Sequence, residues 1–124
     1  MTEQGTLRVG VIGLGNIARQ HIENMRSGEA GDCRLVATCS RSPSEYADGL
    51  AVPHFSSPEE LIRSDLCDAV LVATPTFNHL AAGSAVLDAG LHLMMEKPLG
   101  LSVGEGEQLL ARQGDNQVFA LMLN

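Results

Sequence analysis

The stretch Leu7-Arg8-Val9-Gly10-Val11-Ile12-Gly13-Leu14-Gly15-Asn16-Ile17-Ala18 constrains the fold more than any other part of this chain. An apolar run of strand length meets two glycines and passes directly into residues of helical period, so a buried strand must turn sharply into a helix. Gly13 permits the tight turn, Gly15 lets phosphates approach the backbone with no Cβ in the way, and Ala18 is small enough for the helix to pack on the strand. A helix begun in this way aims free N–H groups, those of Asn16 and Ile17 among them, and its positive dipole end at an anion. A G-x-G-x-x-A match alone is weak evidence, and its weight depends on the rest of the chain.

Beyond Ala18, short apolar runs alternate regularly with longer segments of helical period, the rhythm of a βαβ protein. Strands are predicted over 7–12, 34–39, 53–55, 69–73, 91–95 and 118–123, and helices over 16–27, 58–64 and 77–89, with two more opening near 43 and 103. Gly28 and Gly90 stop the first and fourth helices. Ser42-Pro43-Ser44-Glu45 reads as a capping box with Pro43 at the first helical position, and Ser57-Pro58-Glu59-Glu60 repeats the chemistry. Ser102 caps the fifth helix, although Gly104 and Gly106 weaken it by about 1 kcal/mol each relative to Ala. Ala69-Val70-Leu71-Val72-Ala73 is apolar throughout, as a strand covered on both faces should be. Right-handed crossovers between such units give an α/β fold, a doubly wound parallel sheet ordered 3-2-1-4-5-6 in three αβα layers, forming one domain over 1–124.

Composition excludes several other classes. The net charge is −7 with no cluster of Lys and Arg, so the electrostatic footprint of a nucleic-acid binder is missing and no such partner is expected. No run approaches the ~18 apolar residues of a membrane span, and Met1-Thr2-Glu3-Gln4-Gly5 does not read as a secretory leader, so a cytoplasmic protein without a membrane partner is expected. Cys33, Cys39 and Cys67 are odd in number and lack C-x-x-C spacing, which reads as reduced thiols acting as small apolar residues. The four histidines show no metal-ligand spacing, and no metal is expected.

Parallel strands deliver their C-terminal ends to one edge, so segments far apart in sequence meet there. After the second strand comes Ser40-Arg41-Ser42, about 22 residues beyond Ala18. Here an acid would accept from the ribose 2′-hydroxyl of NAD, whereas Arg beside small residues favours the 2′-phosphate of NADP. Ser40 and Arg41 therefore favour NADP(H) over NAD(H); the alternative is a solvated loop arginine. After the fourth strand comes Thr74-Pro75-Thr76-Phe77-Asn78-His79. Pro75 ends the strand, Thr76 suits a helix N-cap, and the loop would run under the pyrophosphate and nicotinamide ribose. Asn78 and His79 offer side-chain hydrogen bonds to that ligand, although a histidine here also suits a plain helix start. The fifth strand ends in Glu96-Lys97-Pro98. Two charges at that point suit a ligand-facing rim, where Lys97 can donate to a substrate oxygen or act as a base, and equally suit a surface ion pair.

Taken together, G-x-G-x-x-A, Ser-Arg-Ser, T-P-x-x-x-H and E-K-P resemble the glucose–fructose oxidoreductase / inositol dehydrogenase / MocA (Gfo/Idh/MocA) family, from Leu7 to the end of the sequence. The resemblance implies an NAD(P)-binding Rossmann domain followed by an α/β substrate domain, and hydride transfer to or from hydroxyl and keto carbons of sugars and cyclitols. Lys97 matches the family's catalytic lysine and Glu96 the acid near the nicotinamide ribose. The 124 residues stop where the family's substrate domain begins, so cofactor binding with little or no turnover is expected, the small-molecule substrate needing the absent domain. The alternative is a freestanding, non-catalytic nucleotide-binding or regulatory module, docking or self-associating through its apolar sixth strand. Another nucleotide user on this fold, such as a methyltransferase, is disfavoured by E-K-P and by the missing acid after the second strand.

Overall fold

The computed structural model describes residues 6–29, 31–96, 100, 102–116 and 118–121. Strands and helices alternate: β1 Leu7–Ile12, α1 Asn16–Ser27, β2 Cys33–Cys39, α2 Glu45–Asp48, β3 His54–Phe55, α3 Pro58–Ile62, β4 Ala69–Val72, α4 His79–Asp88, β5 His92–Glu96, α5 Val103–Ala111 and β6 Val118–Leu121. The six strands form one sheet in the order β3-β2-β1-β4-β5-β6, and every neighbouring pair is parallel. This is the predicted doubly wound topology.

Successive strand residues point to opposite faces, and both faces are covered. In β4, which is buried throughout, Val70 and Val72 join Leu61 of α3, Val86 and Leu87 of α4 and Leu109 of α5 in one core. Leu71, between them, packs with Val9, Val11 and Leu35 against Ala18 and Ile22 of α1 in the other. Among the described residues no helix is long and apolar enough to cross a membrane.

At the N-terminal edge the strands are stitched by one ion pair. Arg8 Nε and Nη2 donate to Asp68 Oδ2 and Oδ1 at 3.2 and 2.9 Å, and the Arg8 backbone N–H donates to Oδ2 at 2.9 Å. The Asp68 N–H in turn donates to the Arg8 carbonyl at 2.8 Å, and the Asp68 carbonyl accepts from His92 N–H at 3.1 Å. The Arg8 hydrogen bond, working against desolvation, holds the Asp68 carboxyl below the ordinary carboxylate range.

Element boundaries differ from the sequence expectation in instructive places. The cap of α2 is Ser44, whose Oγ accepts from Ala47 N–H at 3.1 Å, and Pro43 lies outside the helix. A capping residue must offer its carbonyl to the first helical turn, and the Ser42 carbonyl is taken by the Ser40 hydroxyl at 2.7 Å. Ser57 and Ser102 cap α3 and α5 as expected, accepting from Glu60 and Glu105 N–H at 3.2 Å. A 3-10 turn, Thr76–Asn78, precedes α4, so the residue in the cap position is Asn78 and the helix starts at His79. β5 begins and ends one residue later than predicted, at His92 and Glu96.

Candidate functional site

A cavity of about 940 Å³ opens along the C-terminal edge of the sheet. Its walls are the turn at 12–18, the end of β2 at Cys39, Ser40 and Arg41, and the segment after β4 that carries Ala73, Thr74, Pro75, Phe77 and Asn78. Nine of the residues singled out from sequence therefore line one space: Gly13, Gly15, Asn16, Ile17, Ser40, Arg41, Thr74, Pro75 and Asn78.

The glycine turn is held between its neighbours, with Gly13 N–H donating to the Cys39 carbonyl and Ala73 N–H to the Ile12 carbonyl, each at 2.9 Å. Gly13 has φ +98°, and a Cβ there would sit 2.8 Å from the Ala73 oxygen. Conformation and packing both demand a glycine. Gly15 is different. Its φ is −74°, open to any residue, and no protein atom lies within 4 Å of where its Cβ would be. Nothing in the protein requires glycine there, and its missing side chain leaves cavity space free.

Gly15 is also the N-cap of α1, whose first turn contains no acidic residue. The first helical N–H groups thus lack the side-chain acceptor that most helix starts provide. Across the cavity, Thr74 Oγ1 is buried and has no hydrogen-bond partner among the described residues. Leaving such a group unsatisfied costs about 1–3 kcal/mol, so its place on the wall suits a ligand's polar atom. Open N–H groups, an orphaned hydroxyl and a vacant Cβ position fit an elongated, phosphate-bearing ligand. Ile17 and Phe77, 50% and 63% exposed, form apolar lips at the mouth.

Two supporting groups were not singled out from sequence. Ser40 Oγ donates to the Ser42 carbonyl, so at 3.1 Å it must accept from His54 Nε2–H. His54 Nδ1 then accepts from Thr38 Oγ1, a fully buried hydroxyl, at 2.8 Å. This chain fixes the end of β2, and only the β2–β3 register, which pairs Thr38 with His54, makes it visible. Cys39 also lines the cavity, but burial pushes its thiol up to about 11, so it is no nucleophile at neutral pH.

The remaining expected site residues are His79, Glu96 and Lys97. His79 is 2% exposed, and its Nε2–H donates to the Thr74 carbonyl at 3.0 Å. It thus ties the start of α4 to the loop that carries Thr74. Glu96 closes β5 one residue past the Val72–Met95 pair, at the same rim, with its backbone paired to Leu121 of β6. Lys97, together with Pro98, lies outside the described residues.

Comparison with known proteins agrees with this geometry. Inositol 2-dehydrogenase 1 of Saccharopolyspora erythraea is 32% identical over 114 residues, which cover 87% of this chain and 33% of that protein. Scyllo-inositol dehydrogenase of Lactobacillus casei, solved with NAD(H) and scyllo-inositol bound, superposes with a TM-score of 0.82 at 27% identity, covering 93% of this chain and 36% of that one. The WlbA dehydrogenase of Bordetella pertussis, solved with NADH and UDP-GlcNAcA, gives 0.86 at 25% identity, covering 94% and 37%. The chain thus spans about a third of the length of the relatives it matches. Residues 7–123 match the family model for the oxidoreductase family, NAD-binding Rossmann fold, and the chain belongs to the Gfo/Idh/MocA oxidoreductases.

Proposed function

We propose that this chain is the dinucleotide-holding part of an oxidoreductase that transfers hydride to or from a hydroxyl or keto carbon of a sugar, cyclitol or related compound. One observation carries this reading: a single cavity gathers the glycine turn, the end of β2 and the loop after β4. In this reading Gly13, Gly15 and the N–H groups of Asn16 and Ile17 take the pyrophosphate, Ser40 and Arg41 the adenosine ribose, and Thr74, Pro75 and Asn78 the segment toward the nicotinamide ribose. His79 acts through Thr74, as a positioning residue. Once bound, the dinucleotide supplies a hydride donor or acceptor at its nicotinamide ring.

Glu96 lies near the nicotinamide ribose in this reading, and Lys97 is the residue that holds or moves a proton at the substrate oxygen. As an ammonium it stabilises developing alkoxide, and as a free amine it withdraws the hydroxyl proton. The named inositol dehydrogenases among the relatives support the substrate class.

NADP(H) is favoured over NAD(H). Arg41 is exposed at the cavity rim and has no hydrogen bond or ion pair among the described residues, and residues 40–42 include no carboxylate. A free guanidinium suits a 2′-phosphate. The Lactobacillus casei and Bordetella pertussis enzymes hold NAD(H) and NADH, so this reading would set the chain apart from them. The 124 residues are expected to bind cofactor with little or no turnover. Three free cysteines suit a reducing compartment, the cytoplasm.

Fluorescence titration with NADPH and NADH tests the reading. NADPH binding tighter than NADH is expected, and failure to bind either one overturns it. Substrate-dependent NADPH oxidation at enzyme-like rates by these residues alone would refute the low-turnover part. A second reading, a binding module that associates through its sheet edge, is favoured by the position of β6, paired on one side only. A concentration-dependent dimer that a proline in β6 abolishes, detected by sedimentation, would support it.

A further inference from the structure

A second pocket, of about 600 Å³, adjoins the cavity and shares Leu14, Ser40 and Arg41 with it. Its wall also carries Arg19 of α1, Ser42, Glu45 and Tyr46. Arg19 is held in place at two points. Its Nε donates to the Leu14 carbonyl at 2.9 Å, and its guanidinium carbon lies 4.6 Å from the centroid of the Tyr46 ring. The ring is itself fixed, because the Tyr46 hydroxyl donates to Glu23 Oε2 at 2.6 Å. The remaining amino groups of Arg19, Nη1 and Nη2, have no acceptor among the described residues. Arg41, on the same wall, has none either.

Two arginines whose amino groups have no acceptor among the described residues therefore line one polar pocket next to the end of β2. With Nε already occupied, Arg19 still offers two coplanar N–H donors, the fork that matches a phosphate. Its pinned stem means little side-chain freedom is lost on binding. We propose that Arg19 is, together with Arg41, a phosphate ligand that selects a dinucleotide phosphorylated on its adenosine 2′ carbon. This rests on the NADP(H) reading of the proposed function. Glu45 is the competing group on the wall, since a carboxylate there can instead accept from an unmodified 2′-hydroxyl.

The test is fluorescence titration of NADPH and NADH, with 2′,5′-ADP, 5′-AMP and inorganic phosphate as competitors, on the wild type, Arg19→Gln, Arg19→Lys and Glu45→Gln. Arg19 is exposed on α1 and Gln is a good helix former, so the fold should survive, with circular dichroism as the check. Arg19→Gln should weaken NADPH and 2′,5′-ADP about tenfold and NADH and 5′-AMP less than twofold. Arg19→Lys should recover only part of the loss, because an ammonium lacks the fork. Equal losses for both dinucleotides, or none, would overturn the assignment, as would inorganic phosphate competing as well as 2′,5′-ADP. Weakened NADH in Glu45→Gln with Arg19→Gln silent would hand the ribose to the carboxylate. The two proposals separate cleanly: a wild type without NADPH preference in which Arg19→Gln still weakens NADPH selectively removes the cofactor reading and keeps Arg19. The reverse pattern does the opposite.

Discussion

At the N-terminal ends of β1 and β4 the polar groups close on one another. The Asp68 carboxylate takes three hydrogen bonds from Arg8, and both backbones join in. At the C-terminal ends of the same strands the groups stay open: Thr74 Oγ1 has no partner among the described residues, Gly15 caps α1 with no side chain, and Ile17 and Phe77 face solvent. One edge has its polar groups arranged for folding, whereas the other retains unsatisfied groups that a ligand can complete. Stability and binding should therefore respond to mutation at different ends of one sheet.

Gly13→Ala should show the largest effect, because it damages both properties. Positive φ and a 2.8 Å approach to the Ala73 oxygen together should remove about 2–3 kcal/mol of stability, read by urea unfolding, and abolish dinucleotide binding. Gly15→Ala comes next and should divide the two: an unchanged melting temperature, with dinucleotide affinity reduced by about tenfold or more. A drop in melting temperature there would mean that Gly15 serves the fold, and the contrast between the edges would fail.

Asp68→Ala should do the converse, lowering the melting temperature while leaving dinucleotide affinity alone. The sign of its pH dependence is set by the Arg8 contact. The native carboxyl titrates below its unfolded value, so the stabilisation is complete above about pH 4 and fades as acid takes the pH down through the lowered native value. Wild type and variant should thus converge in strong acid, and a gap that persists there would assign the effect to packing. The smallest effect is expected for Thr74→Val, with affinity about threefold lower and apo stability unchanged or slightly raised, since an unsatisfied buried hydroxyl is lost.

The topology could be read from sequence because the strands are short, mainly apolar runs, unbroken in β4, and each helix has a stop or cap of recognisable chemistry. That nine candidate residues would gather on one cavity wall could be read as well, since parallel strands bring their ends together whatever the loops do. Local competition for hydrogen bonds was not visible. The sequence pattern points to Ser42 as the cap of α2, and the Ser40 hydroxyl on the Ser42 carbonyl is what leaves that role to Ser44. His79 is a candidate ligand contact by its place in T-P-x-x-x-H; its burial against the Thr74 carbonyl depends on the 3-10 turn before α4. The Thr38–His54–Ser40 chain and the Arg19–Tyr46 plate join residues 14 to 27 positions apart, linked by register and packing, not by motif.

Because β6 runs parallel to β5, it delivers residue 121 to the cavity edge, two strand spacings, or about 10 Å, from β4. Residue 7, by contrast, enters at the far edge. A dinucleotide held along that edge would therefore lie nearer the end of β6 than the start of β1.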